Sequence, residues 1–465
     1  VRFKFVHMAD IHLGNRQYGS EERQMDFAQA FLNAIKYAVK EKVDFILISG
    51  DLFHKKTEMD PVTLLQASKV LEIPKKADIP VIAIEGNHDS TYFRENYSWM
   101  DYLAINGLII NLKPSFNDGI VLEEWDGEKG AYIDLNGVRI YGMKYYGSIT
   151  ERIMDEYLKK IKPGEFTIFM AHIGVEGYVN NMYGCIPSSK LHRLSKKVDY
   201  IALGHVHKSF VERDLIFNPG SLEVCDVTEL DFERGMFLVD VMDKVKYSLV
   251  RNFHRPRKFL TLKYRMKSAD LKDFKHFIES KAEENPEGNS KPVIDLKVEI
   301  DRSLRHHVDD MKLKEIIHTF FDPLLVRIQW DVRDFFRATM VDTTSRESIE
   351  RSVIEQLLHN YPYGNISPEI LKLKGIFSGS FDLNQVDRLV EDILNSQTEK
   401  LVEVKPEKGK PEKPKKEKEE LEFKEGQDGL KSEEPKSEES SQTEEVWDWR
   451  RACDKGSRIR KRKKL

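Results

Sequence analysis

Along the first two hundred and fifty positions, two apolar patterns alternate. Short unbroken apolar runs occur at FKFVHMA (3–9), FILIS (45–49), PVIAI (80–84), VRIYGM (138–143), FTIFMA (166–171) and YIALG (200–204). Continuous runs of this length predict strands buried on both faces, as in a sheet covered by helices. Between them, MDFAQAFLNAIKYAV (25–39) carries apolar residues at helical spacing, and a second helix is predicted around 61–73. Three of these apolar runs stop at short loops rich in Asp, His, Asn and Gly. Because ligand sites in α/β sheets lie beyond the carboxyl ends of strands, these loops predict one crest of polar groups above an apolar sheet.

The pattern changes at RNFHRPRK (251–258), a basic, proline-bearing joint. Beyond it FLTLKYRM, a polar helix over 269–284 and PVIDLKVEI predict a small α+β domain to about 345. Residues 346–396 look helical, with ESIERSVIEQLLHNY and LNQVDRLVEDILNS as amphipathic stretches. From 399 onward there are 20 basic and 18 acidic residues and few large apolar ones. Such a segment buries too little surface to offset its ordering entropy, so it is expected to be disordered. The expected division is 1–255, 256–345, 346–398 and 399–465.

Composition adds three constraints. The net charge of −4 excludes a uniformly basic nucleic-acid coat, and without the tail the remainder carries −6. Any contact with nucleic acid must then come from local basic patches. Three separated cysteines, Cys185, Cys225 and Cys453, argue against a disulfide framework or a cysteine-built zinc site and point to a reducing cytosol. With no apolar run near the ~18 residues of a membrane span and no signal-peptide pattern, a cytoplasmic, nucleoid-associated location is expected, with no membrane partner.

The polar crest carries the chemistry. Its fragments are Asp10-Ile-His12, Gly50-Asp51 continued by Leu-Phe-His54, Gly86-Asn87-His88-Asp89, Ala171-His172, Gly204-His205-Val-His207 and Asn218-Pro-Gly-Ser221. Any one of them could be surface decoration or a chance match. Ligand-bearing fragments at the exits of several apolar strands are hard to account for that way. Together they offer Asp, His, Asp, Asn, His, His and His, enough for two metal ions sharing one carboxylate. Such mixed nitrogen and oxygen donors suit Mn²⁺, Fe²⁺ or Zn²⁺. Paired cations can clamp the attacking and leaving oxygens of a phosphate ester.

In order and wording these fragments resemble the calcineurin-like metallophosphoesterase superfamily, over roughly residues 1–250. HMADIHLG, ILISGDLFH, AIEGNHD, the Gly-Met-Lys before a helical stretch at 149–160, ALGHVHK and NPGSLE are similar to the SbcD-type DNA double-strand-break repair nucleases, which have archaeal and eukaryotic counterparts. The resemblance implies an α/β fold: a metallophosphoesterase β-sandwich flanked by helices, a small α+β capping domain, a helical partner-binding region and a disordered tail. It assigns Asp10, His12, Asp51 and His207 to one metal and Asp51, Asn87, His172 and His205 to the other, two Mn²⁺ per subunit. It gives His88 the role of catalytic histidine, with His54 handling the substrate strand. Adjacency suggests that Asp89 orients His88.

The implied activity is a 3′–5′ exonuclease on double-stranded DNA and a single-strand endonuclease. The implied partners are a second copy of the chain and an SbcC-like coiled-coil ABC-type ATPase, in a heterotetramer. Another metallophosphoesterase activity, on phosphoproteins or cyclic nucleotides, and a chiefly structural DNA-end tether are the alternatives. DNA-contact candidates are Arg16, Arg94, Lys144, Lys208, Arg251, Arg255, Arg257 and Lys258, each of which could equally be a solvated charge. The basic end 450–465 is expected to be an interaction tail. Val353, Leu357, Leu358, Leu389, Val390 and Ile393 are the ATPase-docking candidates. Dimer candidates come from helix 61–73 (Val62, Leu64, Leu65, Val70, Leu71) and from 97–105 (Tyr97, Trp99, Met100, Tyr102, Leu103).

Overall fold

A computed structural model describes residues 2–91, 96–179, 185–286, 291–333, 346–358, 367–378 and 386–391. Arg94, the tail from 399, Ile393 and the side chains of Leu357 and Leu358 lie outside the described residues. Residues 1–300 with 307–331 form one compact unit, and 301–306 with the chain from 332 form another.

Every predicted apolar run of the first unit is a strand, and together they make two six-stranded sheets. The first sheet runs Val245–Val250, Met236–Val241, Phe3–Met8, Phe45–Ile48, Val81–Ala83, Ile110–Asn111. The second runs Phe210–Glu212, Ile216–Asn218, Tyr200–Gly204, Phe166–His172, Val138–Met143, Tyr132–Leu135. Phe5, Phe45, Ile82, Ile140, Met170, Tyr200, Phe217 and Phe237 meet in one buried cluster contributed by both sheets. Tyr200 stacks on Phe217 at 4.2 Å and meets Phe5 edge-on at 5.1 Å. Such aromatic pairs add about 0.5–1.5 kcal/mol each beyond their burial.

Helices cover the outer faces. Helix Glu21–Lys40 starts where the Ser20 side chain accepts the Arg23 N–H, and helix Pro61–Lys76 where Asp60 accepts the Thr63 N–H ahead of a proline at the first turn. On the second sheet, Met154 and Tyr157 of helix Thr150–Lys160 pack with Met143, Phe169 and Leu203. Four of the dimer candidates, Val70, Leu71, Met100 and Leu103, are fully buried core residues and present no outer face. Val62 and Tyr102 on these helices, and Tyr97 just ahead of the second one, are exposed instead.

All but the last residues of a three-stranded sheet, Phe259–Met266, Val293–Asp301 and Leu325–Arg333, also lie in the first unit, with helices Lys272–Glu283 and Asp310–Phe320. In the second unit, helices Arg346–Leu358 and Ser367–Ser378 pair, with an ion pair between Glu350 and Lys374. Val353, Phe377 and Val390 are exposed there. Among the described residues no helix is long and apolar enough to cross a membrane.

Candidate metal centre

Parallel pairing of 3–8 with 45–48, of 45–48 with 81–83, and of 166–172 with 200–204 puts the carboxyl ends of these strands on one crest. The two sheets are joined there by polar contacts. Buried His7 bonds the Tyr200 hydroxyl and the Leu203 carbonyl at 3.0 Å each, and the Ser49 hydroxyl donates to the Ala202 carbonyl at 3.1 Å. Beyond the last strand residues the chain turns sharply. Asp10, His12 and Asp51 have φ of 52° and His205 has φ of 95°, a region that non-glycine residues rarely enter. Four such residues in one crest mark a site whose geometry is imposed by its surroundings. Gly86 has no freedom to be anything else. A Cβ there would lie 2.1 Å from Asp51 Oδ1.

The turns bring all seven expected ligands together. Asp51 Oδ2 lies 3.2 Å from His172 Nε2 and 3.9 Å from His12 Nε2. On one side of Asp51, His172 Nε2 is 3.0 Å and His205 Nδ1 is 3.1 Å from Asn87 Oδ1. On the other, His12 Nε2 faces His207 Nε2 at 3.1 Å, while the His205 backbone N–H donates to both Asp10 oxygens at 3.0 Å. Ligand atoms of Asp10, Asp51 and His172 lie within 4.8 Å of one another, and all three residues are buried.

This donor set fits divalent cations. His172 Nδ1 faces the Ser49 carbonyl at 2.8 Å and must donate to it, so Nε2 is the nitrogen turned to the centre, within reach of the Asn87 and Asp51 oxygens. Oxygens at 3.0–3.2 Å from that nitrogen need positive charge among them, a proton on Nε2 in the metal-free centre or a divalent cation that takes its place. His205 Nε2 and His12 Nδ1 are buried without a hydrogen-bond partner, so neither ring is anchored by a full protein network. The electrostatics agree. Burial pushes Asp10 up to about 6. Burial would raise Asp51 too, but the adjacent His172 and His12 outweigh it and hold that carboxyl well below its usual range. Burial works against charge on His172 as well, but Asp51 and Asp10 overcome it and raise that imidazole to about 9. Two buried carboxylates here gather whatever cation is available.

His88 stands beside this set rather than in it. Its backbone N–H donates to Asp51 Oδ1 at 2.9 Å, and its Nδ1 meets the His54 carbonyl. A carbonyl only accepts, so His88 Nδ1 carries a proton and Nε2 is left for other chemistry. The His54 ring stacks on His88 at 5.4 Å. Burial, then the charge of His88, pulls His54 down to about 4. The expectation that Asp89 orients the His88 ring is corrected. The Asp89 carboxylate accepts the backbone N–H groups of Leu52 (3.0 Å), Phe53 (2.8 Å) and Gly86 (3.2 Å) and so ties the two metal-facing loops together.

Several functional neighbours were invisible in the motifs. Glu229 accepts from His207 Nδ1 at 2.8 Å, fixing which nitrogen faces the centre. Tyr145 stacks on His205 at 5.7 Å. Asn218 of the NPGS run donates to the carbonyls of Val206 (2.6 Å) and Lys208 (2.9 Å) and so braces the loop bearing His205 and His207. Only that last residue had a signal, a polar motif with no metal to bind. Among the basic candidates, Lys144 is engaged by buried Glu85 at 3.2 Å, and Arg257 by both oxygens of Asp26 at 2.5 and 2.7 Å. Arg16 bonds Gln24 and keeps half its side chain exposed, and exposed Lys208 lies over Phe232. Arg251 is exposed and pairs with Glu233, and Arg255 is exposed while Lys258 is half-buried.

Residues 3–209 match the calcineurin-like phosphoesterase family, so this part of the chain is a calcineurin-like metallophosphoesterase domain, a class that implies a dinuclear metal site. At finer resolution the chain is similar to archaeal proteins called DNA double-strand break repair protein Mre11. The one from Saccharolobus solfataricus is 27% identical over 326 residues, 68% of this chain and 78% of that protein. The one from Archaeoglobus fulgidus is 30% identical over 263 residues, 54% of this chain and 57% of that protein. The one from Sulfolobus acidocaldarius is 26% identical over 414 residues, 86% of this chain and 97% of that protein.

Proposed function

We propose that this chain is a metal-dependent DNA nuclease of double-strand-break repair, cleaving phosphodiesters as a 3′–5′ exonuclease on duplex ends and as an endonuclease on single strands. The observation that carries the reading is the convergence of seven donor side chains around Asp51, in a chain similar over most of its length to repair proteins. Asp10, His12, Asp51 and His207 would hold one divalent cation, and Asp51, Asn87, His172 and His205 the other, with Mn²⁺ as the ion of the resembled family. Bound there, two cations supply Lewis-acid charge to the attacking and leaving oxygens of a phosphodiester.

The chain's own groups do the rest. Glu229 and the Ser49 carbonyl fix the tautomers of His207 and His172. With Nδ1–H committed to the His54 carbonyl, Nε2 is the His88 atom left for proton transfer, and the imidazolium form would give its Nε2 proton to a phosphate or leaving 3′ oxygen. His54, kept neutral by burial, stacks on His88 and lines the cleft formed with Leu13, Arg16, Lys55 and Asp60. A DNA strand entering beside the centre would follow this cleft, with Arg16 and Lys208 as phosphate contacts.

The exposed apolar residues of the 346–391 helices support an ATPase-docking role for that region, and exposed Val62, Tyr97 and Tyr102 support a homodimer through the helices of the nuclease domain. Digestion of end-labelled linear DNA with Mn²⁺, Mg²⁺ or EDTA tests the central reading. Shortening of labelled ends with Mn²⁺, abolished by EDTA, is expected. Phosphate release from phosphopeptides with intact DNA would overturn it.

A further inference from the structure

Cys225 belongs to none of the ligand-bearing motifs, yet it borders the centre. It lies between strands Ile216–Asn218 and Met236–Val241. Its backbone N–H donates to Glu229 Oε2 at 3.2 Å, while the other oxygen of that carboxylate holds His207 Nδ1 at 2.8 Å. One ligand atom each from Cys225, His207 and His12 lies within 4.8 Å of the others. His12 is 2% exposed, and its Nδ1 is buried with no hydrogen-bond partner. The thiol reaches the Glu223 carbonyl only at 3.6 Å and otherwise faces the His207 ring. A sulfur so placed, beside two imidazoles that face each other at 3.1 Å, is in reach of whatever cation they share.

We propose that Cys225 Sγ is a further ligand of the cation held by Asp10, His12, Asp51 and His207, making the two metal positions chemically unequal. The inference rests on the bimetallic reading of the centre. Thiolate is the soft donor among protein ligands. A sulfur ligand therefore tilts that position toward Zn²⁺, Co²⁺ or Fe²⁺, whereas the position made by Asp51, Asn87, His172 and His205 keeps only nitrogen and oxygen donors and suits Mn²⁺. On coordination the S–H bond breaks, the sulfur lone pair goes to the metal, and the proton leaves to solvent.

Cobalt titration of the full chain under reducing conditions tests this, with absorption spectra of the wild type, Cys225→Ser and a Cys185→Ser/Cys453→Ser double variant. A near-ultraviolet thiolate-to-cobalt charge-transfer band is expected in the wild type and the double variant and is expected to vanish in Cys225→Ser. Competition calorimetry should show the Zn²⁺-over-Mn²⁺ preference of the Cys225→Ser chain falling at least about ten-fold. Visible d–d bands for bound cobalt without the charge-transfer band in the wild type would overturn the inference and leave the bimetallic site standing. No cobalt binding at all would overturn both. If Cys225→Ser misfolds by circular dichroism, the wild-type and double-variant spectra still decide.

Discussion

At the scale of single residues, the proposed centre separates groups that would hold charge from the group that would move a proton. His88 touches the ligand set only through its main chain, which donates to Asp51, while its ring is pinned by a carbonyl. Removing the ring should therefore spare the donor set. His88→Ala is expected to retain both metals by elemental analysis and to lose about 10²–10⁴-fold in cleavage rate; loss of a metal would place His88 among the ligands. Gly86 gives the opposite signature. In Gly86→Ala the new Cβ collides with Asp51 Oδ1, so Mn²⁺ affinity by calorimetry should fall at least about ten-fold, and cleavage with it. The convergence of the candidate ligand residues was legible in the sequence because Asp, His and Asn at the exits of buried strands do little for packing, so their recurrence at strand after strand points to a shared ligand. Glu229, Cys225 and Tyr145 were not, because each acts through a ring it reaches across space and none lies in a periodic pattern. Asp89 was misread for a related reason. Adjacency in sequence to His88 said nothing about where its carboxylate turns, and the three amide hydrogens of two loops claim it.

At the scale of elements, strand ends place the ligands and a buried charge network joins helix, loop and the small sheet. Arg23, fully buried on helix Glu21–Lys40, donates to Asp26 at 2.6 Å, Glu223 at 3.2 Å and the Val224 carbonyl at 3.0 Å, and lies over Phe259 at 5.2 Å. Arg257 clasps the same Asp26, and His254 reaches Glu223 at 3.0 Å. The basic joint at 251–258 is thus partly an internal latch between the sandwich and the three-stranded sheet. Arg23→Met strips buried Glu223 of a partner and should cost about 3–5 kcal/mol, read as a lowered denaturation midpoint. The doubly buried strands were legible from their unbroken apolar runs. The edge strands Tyr132–Leu135, Phe210–Glu212 and Val245–Val250 were not, since their polar, half-exposed residues carry no such run. Within the region expected to be helical, helix Ser367–Ser378 did not stand out as an amphipathic stretch, because its apolar and polar residues mix without one clear face.

At the scale of the whole molecule, the buried carboxylates and histidines set the response to acid. Burial alone would raise Glu223 and Glu85, but the His254 hydrogen bond and Arg23 outweigh it for Glu223, and Lys144 and Lys113 outweigh it for Glu85, so both sit below the ordinary glutamate value of 4.5. A folded-state pKa below the unfolded one means the unfolded chain binds more protons. Stability from these groups is therefore complete above 4.5 and is lost as pH falls through the depressed folded values. Asp89 acts with the opposite sign. Burial, then the charge of Asp51, lifts it to about 7, so the folded chain takes up a proton first and gains stability as pH drops from 7 toward 3.8. Burial holds His7, His12, His54 and His205 below the ordinary histidine value, so the unfolded chain takes up protons first below 6.5; denaturant midpoints of the metal-free chain should thus rise slightly from about pH 8 to 6.5, fall below it, and fall more steeply below about 4.5. Glu85→Gln should blunt the acid fall and Asp89→Asn should flatten the neutral rise. Adding Mn²⁺ at a hundred times its dissociation constant should lift the neutral-pH stability by about 2.7 kcal/mol for each independent site, since only the folded crest assembles the ligands. A profile unchanged by Mn²⁺ and by both substitutions would mean that the crest and its carboxylates contribute nothing to holding the sandwich together.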